Sequence, residues 1–167
     1  MAKQTTGLEL AEDAEFQRRE WVVERVGWVL LGVVLASAVL GLFGGGPLSQ
    51  ARVTDQQQTF EVTYERFTRA LTYTVLEITV DAGAIEDSSV TVYLSDTWID
   101  NVTTWQITPE PDSTTRTDEG IFYEFATRPN SPLVATLLYR PNDPGISRSA
   151  VGIGDSERVE LWQLVYP

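Results

Sequence analysis

The chain has 167 residues, no Cys, no His, and 24 acidic against 12 basic side chains. No disulfide, thiolate nucleophile, sulfur-bound metal or imidazole-based catalysis is open to it. A net charge of −12 argues against nucleic-acid binding, which draws on clustered Lys and Arg. At about 100–200 residues per domain, the length allows one folded unit with appendages.

The first residues read as a tail. Thr6-Gly-Leu-Glu9 then fits a capping box, in which hydroxyl and carboxylate satisfy free amide donors at a helix start. Glu9, Glu12, Asp13 and Glu15 would occupy the positive end of the helix dipole, and Glu15 can pair with Arg19 one turn on. Nothing breaks a helix from Leu8 onward, so one continuous helix is expected over about 8–43. Residues 1–25 form its cytoplasmic lead-in, either a docking handle or a solvated segment that only fixes topology.

Val26 to Ala51 contains no charged residue, and Val26 to Phe43 is almost wholly apolar. At the helical rise that apolar run gives about 27 Å, near the roughly 30 Å of a bilayer's hydrocarbon. A transmembrane helix is expected over 26–46. Trp21, Trp28 and Phe43 would lie at the lipid–water boundary, where aromatic rings collect. Gly44-Gly45-Gly46-Pro47 would end the helix by backbone freedom and a missing amide donor. Ser49-Gln50-Ala51 resembles a signal-peptidase site, but the long acidic segment before the apolar run favours an uncleaved anchor.

Arg18, Arg19 and Arg25 precede the span, and Arg52 alone follows closely. That bias places the N-terminus in the cytoplasm and the C-terminal part outside the cytoplasmic membrane, in the periplasm. Ser37, Gly41 and Gly45 recur four apart, as do Gly32 and Ala36. Small residues at that spacing let a neighbouring helix approach, so an integral-membrane partner or a second copy is expected there, with lipid around it.

A linker is expected over 47–58 and an extracytoplasmic domain over 59–167. In the latter, short runs rich in β-branched and aromatic residues recur: Phe60–Tyr64, Tyr73–Val80, Val90–Leu94, Val102–Ile107, Ile121–Phe125, Leu133–Tyr139, Val159–Tyr166 and, more weakly, Ser147–Ile153. Turn signals such as Pro141-Asn-Asp-Pro-Gly punctuate them. Seven or eight such strands predict an all-β antiparallel sandwich, immunoglobulin-like or a small barrel. Its core would draw on Val62, Tyr64, Val75, Ile78, Val80, Val90, Val92, Leu94, Trp105, Ile107, Phe122, Leu137, Leu161 and Leu164.

Residues 52–167 hold 18 acids against eight Arg, which gives solubility, salt adaptation or an acidic face for a cationic partner. Asp81 with Glu86 and Asp87, Asp96 with Asp100, and Asp118 with Glu119 bracket turns, but lack calcium-loop spacing. Carboxylate pairs are inevitable at this acid content and do not indicate glycoside hydrolysis. Gly152-Ile-Gly154 lacks the rest of a nucleotide fingerprint. No cofactor, metal or catalytic residue is assigned. Arg66 and Arg69 stand out in an acidic domain and would meet lipid phosphate, an acidic partner or nearby carboxylates such as Glu65. Trp98 and Trp105 would be buried or mark a protein interface.

Arg18-Arg-Glu-Trp21, Gly27-Trp28, the Gly-Leu-Phe-Gly-Gly-Gly-Pro-Leu-Ser exit at 41–49 and a Tyr-Glu-Arg-Phe element at 64–67 resemble a group of bacterial single-pass envelope proteins with no established activity. The layout is also similar to small accessory subunits of respiratory oxidases, which join one span to a β-sandwich. The copper-binding Cys pair of one such type is absent here, so metal delivery does not carry over. The expectation is a non-enzymatic accessory or structural subunit that binds a partner in the envelope. The alternative is a membrane-anchored sensor of an extracytoplasmic ligand.

Overall fold

Helix α1 runs over Ala14–Leu40 in the computed structural model, which describes residues 14–42, 45–85, 88–154 and 158–167. Its segment Arg18–Leu40 is 23 residues long and apolar enough to cross a membrane. From Arg18 to Leu40 nearly every side chain is exposed, including Val23, Trp28 and Val39, so that stretch buries no stripe of its own. The expected helix start at residues 8–13 lies outside the described residues.

The helix ends at Leu40, three residues earlier than expected. Gly41 has φ +86°, in the left-handed region that glycine enters without a Cβ penalty. The chain then turns back, and the Leu48 amide donates to the Leu40 carbonyl at 3.1 Å. Ser49 is fully buried, its hydroxyl donating to the Phe67 carbonyl at 2.9 Å. Residues 47–58, expected as a linker, therefore hold a strand: β1 is Gln50–Thr54.

Ten further strands follow among the described residues: β2 (Phe60–Glu65), β3 (Phe67–Arg69), β4 (Thr74–Val80), β5 (Ser89–Ser95), β6 (Val102–Thr108), β7 (Ser113–Arg116), β8 (Gly120–Ala126), β9 (Leu133–Pro141), β10 (Gly145–Ile153) and β11 (Val159–Tyr166). A short helix, α2 (Asp96–Asn101), joins β5 to β6. One sheet has the order β1-β2-β4-β9-β6 and is antiparallel throughout. The other has the order β3-β11-β10-β5-β8-β7, with β3 parallel to β11 and the remaining pairs antiparallel. The chain is thus one long apolar helix followed by an all-β sandwich.

Alternation decides which side chains meet between the sheets. Phe60, Val62 and Tyr64 of β2, Leu76, Ile78 and Val80 of β4, and Ala135, Leu137 and Tyr139 of β9 point inward. Val90, Val92 and Leu94 of β5, Phe125 of β8, Val151 of β10 and Leu161 of β11 meet them from the second sheet. Two expected core residues are exposed instead. Val75 falls on the opposite parity to Leu76 and Ile78, and Trp105 sits where the β6–β9 register shifts between Thr104 and Gln106. Phe122 and Leu164 are only half-buried, because both lie on the outer face of the second sheet.

Candidate functional site

The outer face of the first sheet carries a patch of large apolar side chains. Val75 of β4 pairs in register with Leu138 of β9, which in turn pairs with Gln106 of β6. Tyr73 precedes β4, and its ring meets Trp105 edge-on at 5.8 Å. Trp105 is 68% exposed, and Tyr73 and Val75 are 49% and 43% exposed. Trp105 is the extra residue of a bulge in which it and Gln106 face Leu138 of β9, and the irregular ladder there leaves the indole exposed. Strand β6 is an edge strand with no charged residue, and lacks the lysines or inward charges that usually blunt such edges. Glu77 lies exposed two positions beyond Val75.

The second sheet's outer face differs in chemistry. The Arg66 guanidinium stacks over the Trp162 ring at 5.3 Å, and Phe67 meets the same ring edge-on at 6.0 Å. Trp162 pairs with Arg148 across β10 and β11, and Ile146 pairs with Leu164. Arg69 is exposed beside Tyr166, and its Nε donates to the Pro167 carbonyl at 3.2 Å. Among the described residues, Arg66, Arg69 and Arg148 form no ion pair with Asp or Glu. The carboxylates near Arg66, Glu65 included, do not hold it. Glu65 accepts instead from the Thr74 hydroxyl at 3.2 Å.

Trp98 is core, not contact surface. It is buried on α2 with its ring 4.4 Å from that of Tyr139, which excludes it from the interface role open to it in the sequence. Burial pushes the Tyr139 phenol far above its ordinary value, so it stays a neutral donor and acceptor, and the Gln163 side-chain amide donates to it at 2.8 Å.

Four of the acidic turn residues serve local structure. Asp81 accepts from the Gly83 amide at 2.8 Å. Asp96 and Asp100 each stand 3.7 Å from Arg116, and Glu119 stands 3.1 Å from Arg158. Glu86 and Asp87 lie outside the described residues. No three His, Cys, Asp or Glu side chains converge on a metal position among the described residues. A cavity of about 60 Å³ lined by Asn101, Pro141, Gly145 and Gln163 has room for water but not for an organic ligand.

On α1, Gly32, Ala36 and Ser37 lie within the helix, whereas Gly41 and Gly45 lie beyond its end, both with positive φ. The small-residue face is therefore shorter than the sequence pattern implied. Arg18, Arg19, Trp21, Arg25 and Trp28 are exposed, and the Arg25 guanidinium covers the Trp21 ring at 3.5 Å. Phe43 lies outside the described residues.

No family model and no curated protein matches the chain. Among solved structures, a cohesin ScaC bound to the ScaB dockerin from Acetivibrio cellulolyticus is similar at 12% identity and a TM-score of 0.40, covering 60% of this chain and 93% of that one. A type I cohesin–dockerin complex from Clostridium thermocellum is similar at 14% identity and a TM-score of 0.35, over 59% of this chain and 81% of that one. A β-glucosidase from Listeria innocua in complex with gluconolactone has 11% identity and a TM-score of 0.36, over 76% of this chain but only 17% of its own length. With every TM-score below 0.5, none of these likenesses assigns a family or an activity.

Proposed function

We propose that the chain is a non-enzymatic, single-span protein of the cytoplasmic membrane, with its N-terminus in the cytoplasm and its β domain in the periplasm. The β domain binds a protein partner through the Tyr73–Trp105 face, and α1 packs laterally in the bilayer through Gly32, Ala36 and Ser37. One observation carries this reading. An aromatic pair stands exposed beside Val75 and an uncharged edge strand, in a domain where Asp81, Asp96, Asp100 and Glu119 are taken up in a cap and ion pairs. Exposed Trp and Tyr are the side chains that dominate binding energy at protein interfaces. Glu77 at the rim calls for a partner surface with an apolar centre and a basic border.

The test is site-specific photo-crosslinking in intact membranes, with the reactive side chain at position 105 and, as control, at position 114 on the exposed strand β7. A single defined protein adduct at 105 that is absent at 114 and is lost with Tyr73→Ala supports the reading. No adduct at 105, or equal labelling at both positions, counts against it.

A further inference from the structure

The Tyr166 hydroxyl donates to the Leu42 carbonyl. Leu42 is two residues past the last residue of α1, a chain distance of at most ~7 Å. The end of β11, and β3 paired with it, therefore stand where the chain leaves the helix. Arg69 pairs with Tyr166, Phe67 with Leu164, and Arg66 stacks on Trp162 on the same outer face. Ile146 and Arg148 of β10 extend that face, with Ile146 71% exposed. Leu48, in the turn between α1 and β1, is also exposed.

We propose that this corner docks onto the anionic phospholipid headgroups of the bilayer that α1 enters. The proposal rests on reading α1 as a membrane span. Three arginines with no Asp or Glu partner among the described residues, interleaved with Trp162, Tyr166, Phe67 and Ile146, give the two features that hold a protein at a lipid interface: cations for phosphate and amphipathic rings for the headgroup layer. The acids nearby include Glu65, which accepts from the Thr74 hydroxyl, Glu160 on the same face of β11, and Asp143 in the β9–β10 turn, the last two exposed. The remainder of this acidic domain repels an anionic surface, so the arginine corner fixes which side of it approaches lipid. Guanidinium suits this task because its planar fork matches phosphate oxygens while its face stays stacked on the indole.

The chain has no cysteine, so single cysteines carry unique spin labels on the full-length protein. Labels at Ile146→Cys, Val29→Cys and Thr114→Cys are compared in nanodiscs of phosphatidylcholine alone and with about a third phosphatidylglycerol, the readout being collision with a water-soluble nickel chelate. The label at 146 becomes shielded in anionic discs and the label at 114 does not. Each arginine removed weakens the shielded population about fivefold, so Arg69→Gln with Arg148→Gln abolishes most of it, as does about 1 M salt. The double variant spares Arg66, whose Nε is buried, and so guards against mere misfolding. If the label at 29 is in lipid while that at 146 is equally exposed in both discs, the docking proposal fails and the membrane span stands. If the label at 29 is itself open to the chelate, both fail. Shielding at 146 that requires an added acidic protein, and not anionic lipid, also overturns it.

Discussion

Gly41 and Gly46 stand backbone against backbone, so that a Cβ on either would collide with the main chain of the other. This contact lets the chain reverse directly after α1 and deliver Ser49 into the β domain. Gly45, between them in sequence, also has positive φ, but a Cβ there meets nothing within 4 Å.

Gly41→Ala should therefore destabilise the β domain well beyond the roughly 1 kcal/mol expected for a glycine with positive φ alone, because steric overlap adds to backbone strain. Gly45→Ala should cost about 1 kcal/mol and no more. Thermal unfolding of the two full-length variants in detergent checks the order. Equal losses would show that the Gly41–Gly46 approach is not a constraint.

Trp98 and Trp105 separate stability from binding. Trp98→Ala removes a buried ring packed on Tyr139 and should cost about 3–5 kcal/mol. Trp105→Ala removes an exposed ring and should change stability by less than about 0.5 kcal/mol. The second variant should instead lose the partner protein that co-purifies with wild type in mild detergent, while unfolding at nearly the wild-type temperature.

These two tryptophans also mark what sequence reading can reach. Alternation in Phe60–Tyr64 and Val90–Leu94 locates β2 and β5, because one face of each strand is buried and the periodicity is forced. It does not find β7, whose four residues Ser113–Arg116 are all exposed, and it marks β1 only weakly, since Gln50–Thr54 alternates through just Ala51 and Val53 and follows a glycine-rich exit. The three-residue β3 is held by pairing with β11, almost a hundred positions away, and carries no local pattern. Trp105 reads as core by composition, and only the bulge opposite Leu138 turns it out. Arg66 and Arg69 are conspicuous as rare cations, but their setting is not. Trp162, the ring under Arg66, is brought there by tertiary pairing alone.

Asp55 links the β1–β2 hairpin to pH. Burial raises its carboxyl, but hydrogen bonds from the Thr59 hydroxyl and the Phe60 and Thr59 amides outweigh that, and its pKa lies below the ordinary 3.8. A lowered native pKa stabilises the folded state fully above 3.8, and the contribution is lost as pH falls through the native value. Wild type should thus lose stability at strongly acidic pH relative to Asp55→Asn, whose stability should be lower near neutrality and flatter in acid. Chemical unfolding between pH 7 and about pH 2 tests this; parallel curves would refute the assignment.

Gln163 adds a polar tie between the two sheets to the apolar core that Tyr64, Tyr139 and Leu161 already share. Its side-chain amide donates to the Glu65 carbonyl at 2.6 Å and to the Tyr139 hydroxyl at 2.8 Å, bridging the two sheets in a buried setting. Gln163→Leu keeps the volume but takes the side-chain donor from the Glu65 carbonyl and one of two side-chain partners, Gln163 and Thr74, from the Tyr139 hydroxyl, at about 1–3 kcal/mol in all. Adding Tyr139→Phe removes the phenolic oxygen and should cost less in the Gln163→Leu background than in wild type, since the bond to Gln163 is already gone. The double-variant cycle by urea unfolding should show a coupling of about 1 kcal/mol or more. Strict additivity would mean that the Gln163–Tyr139 bond contributes nothing to joining β11 to the opposite sheet.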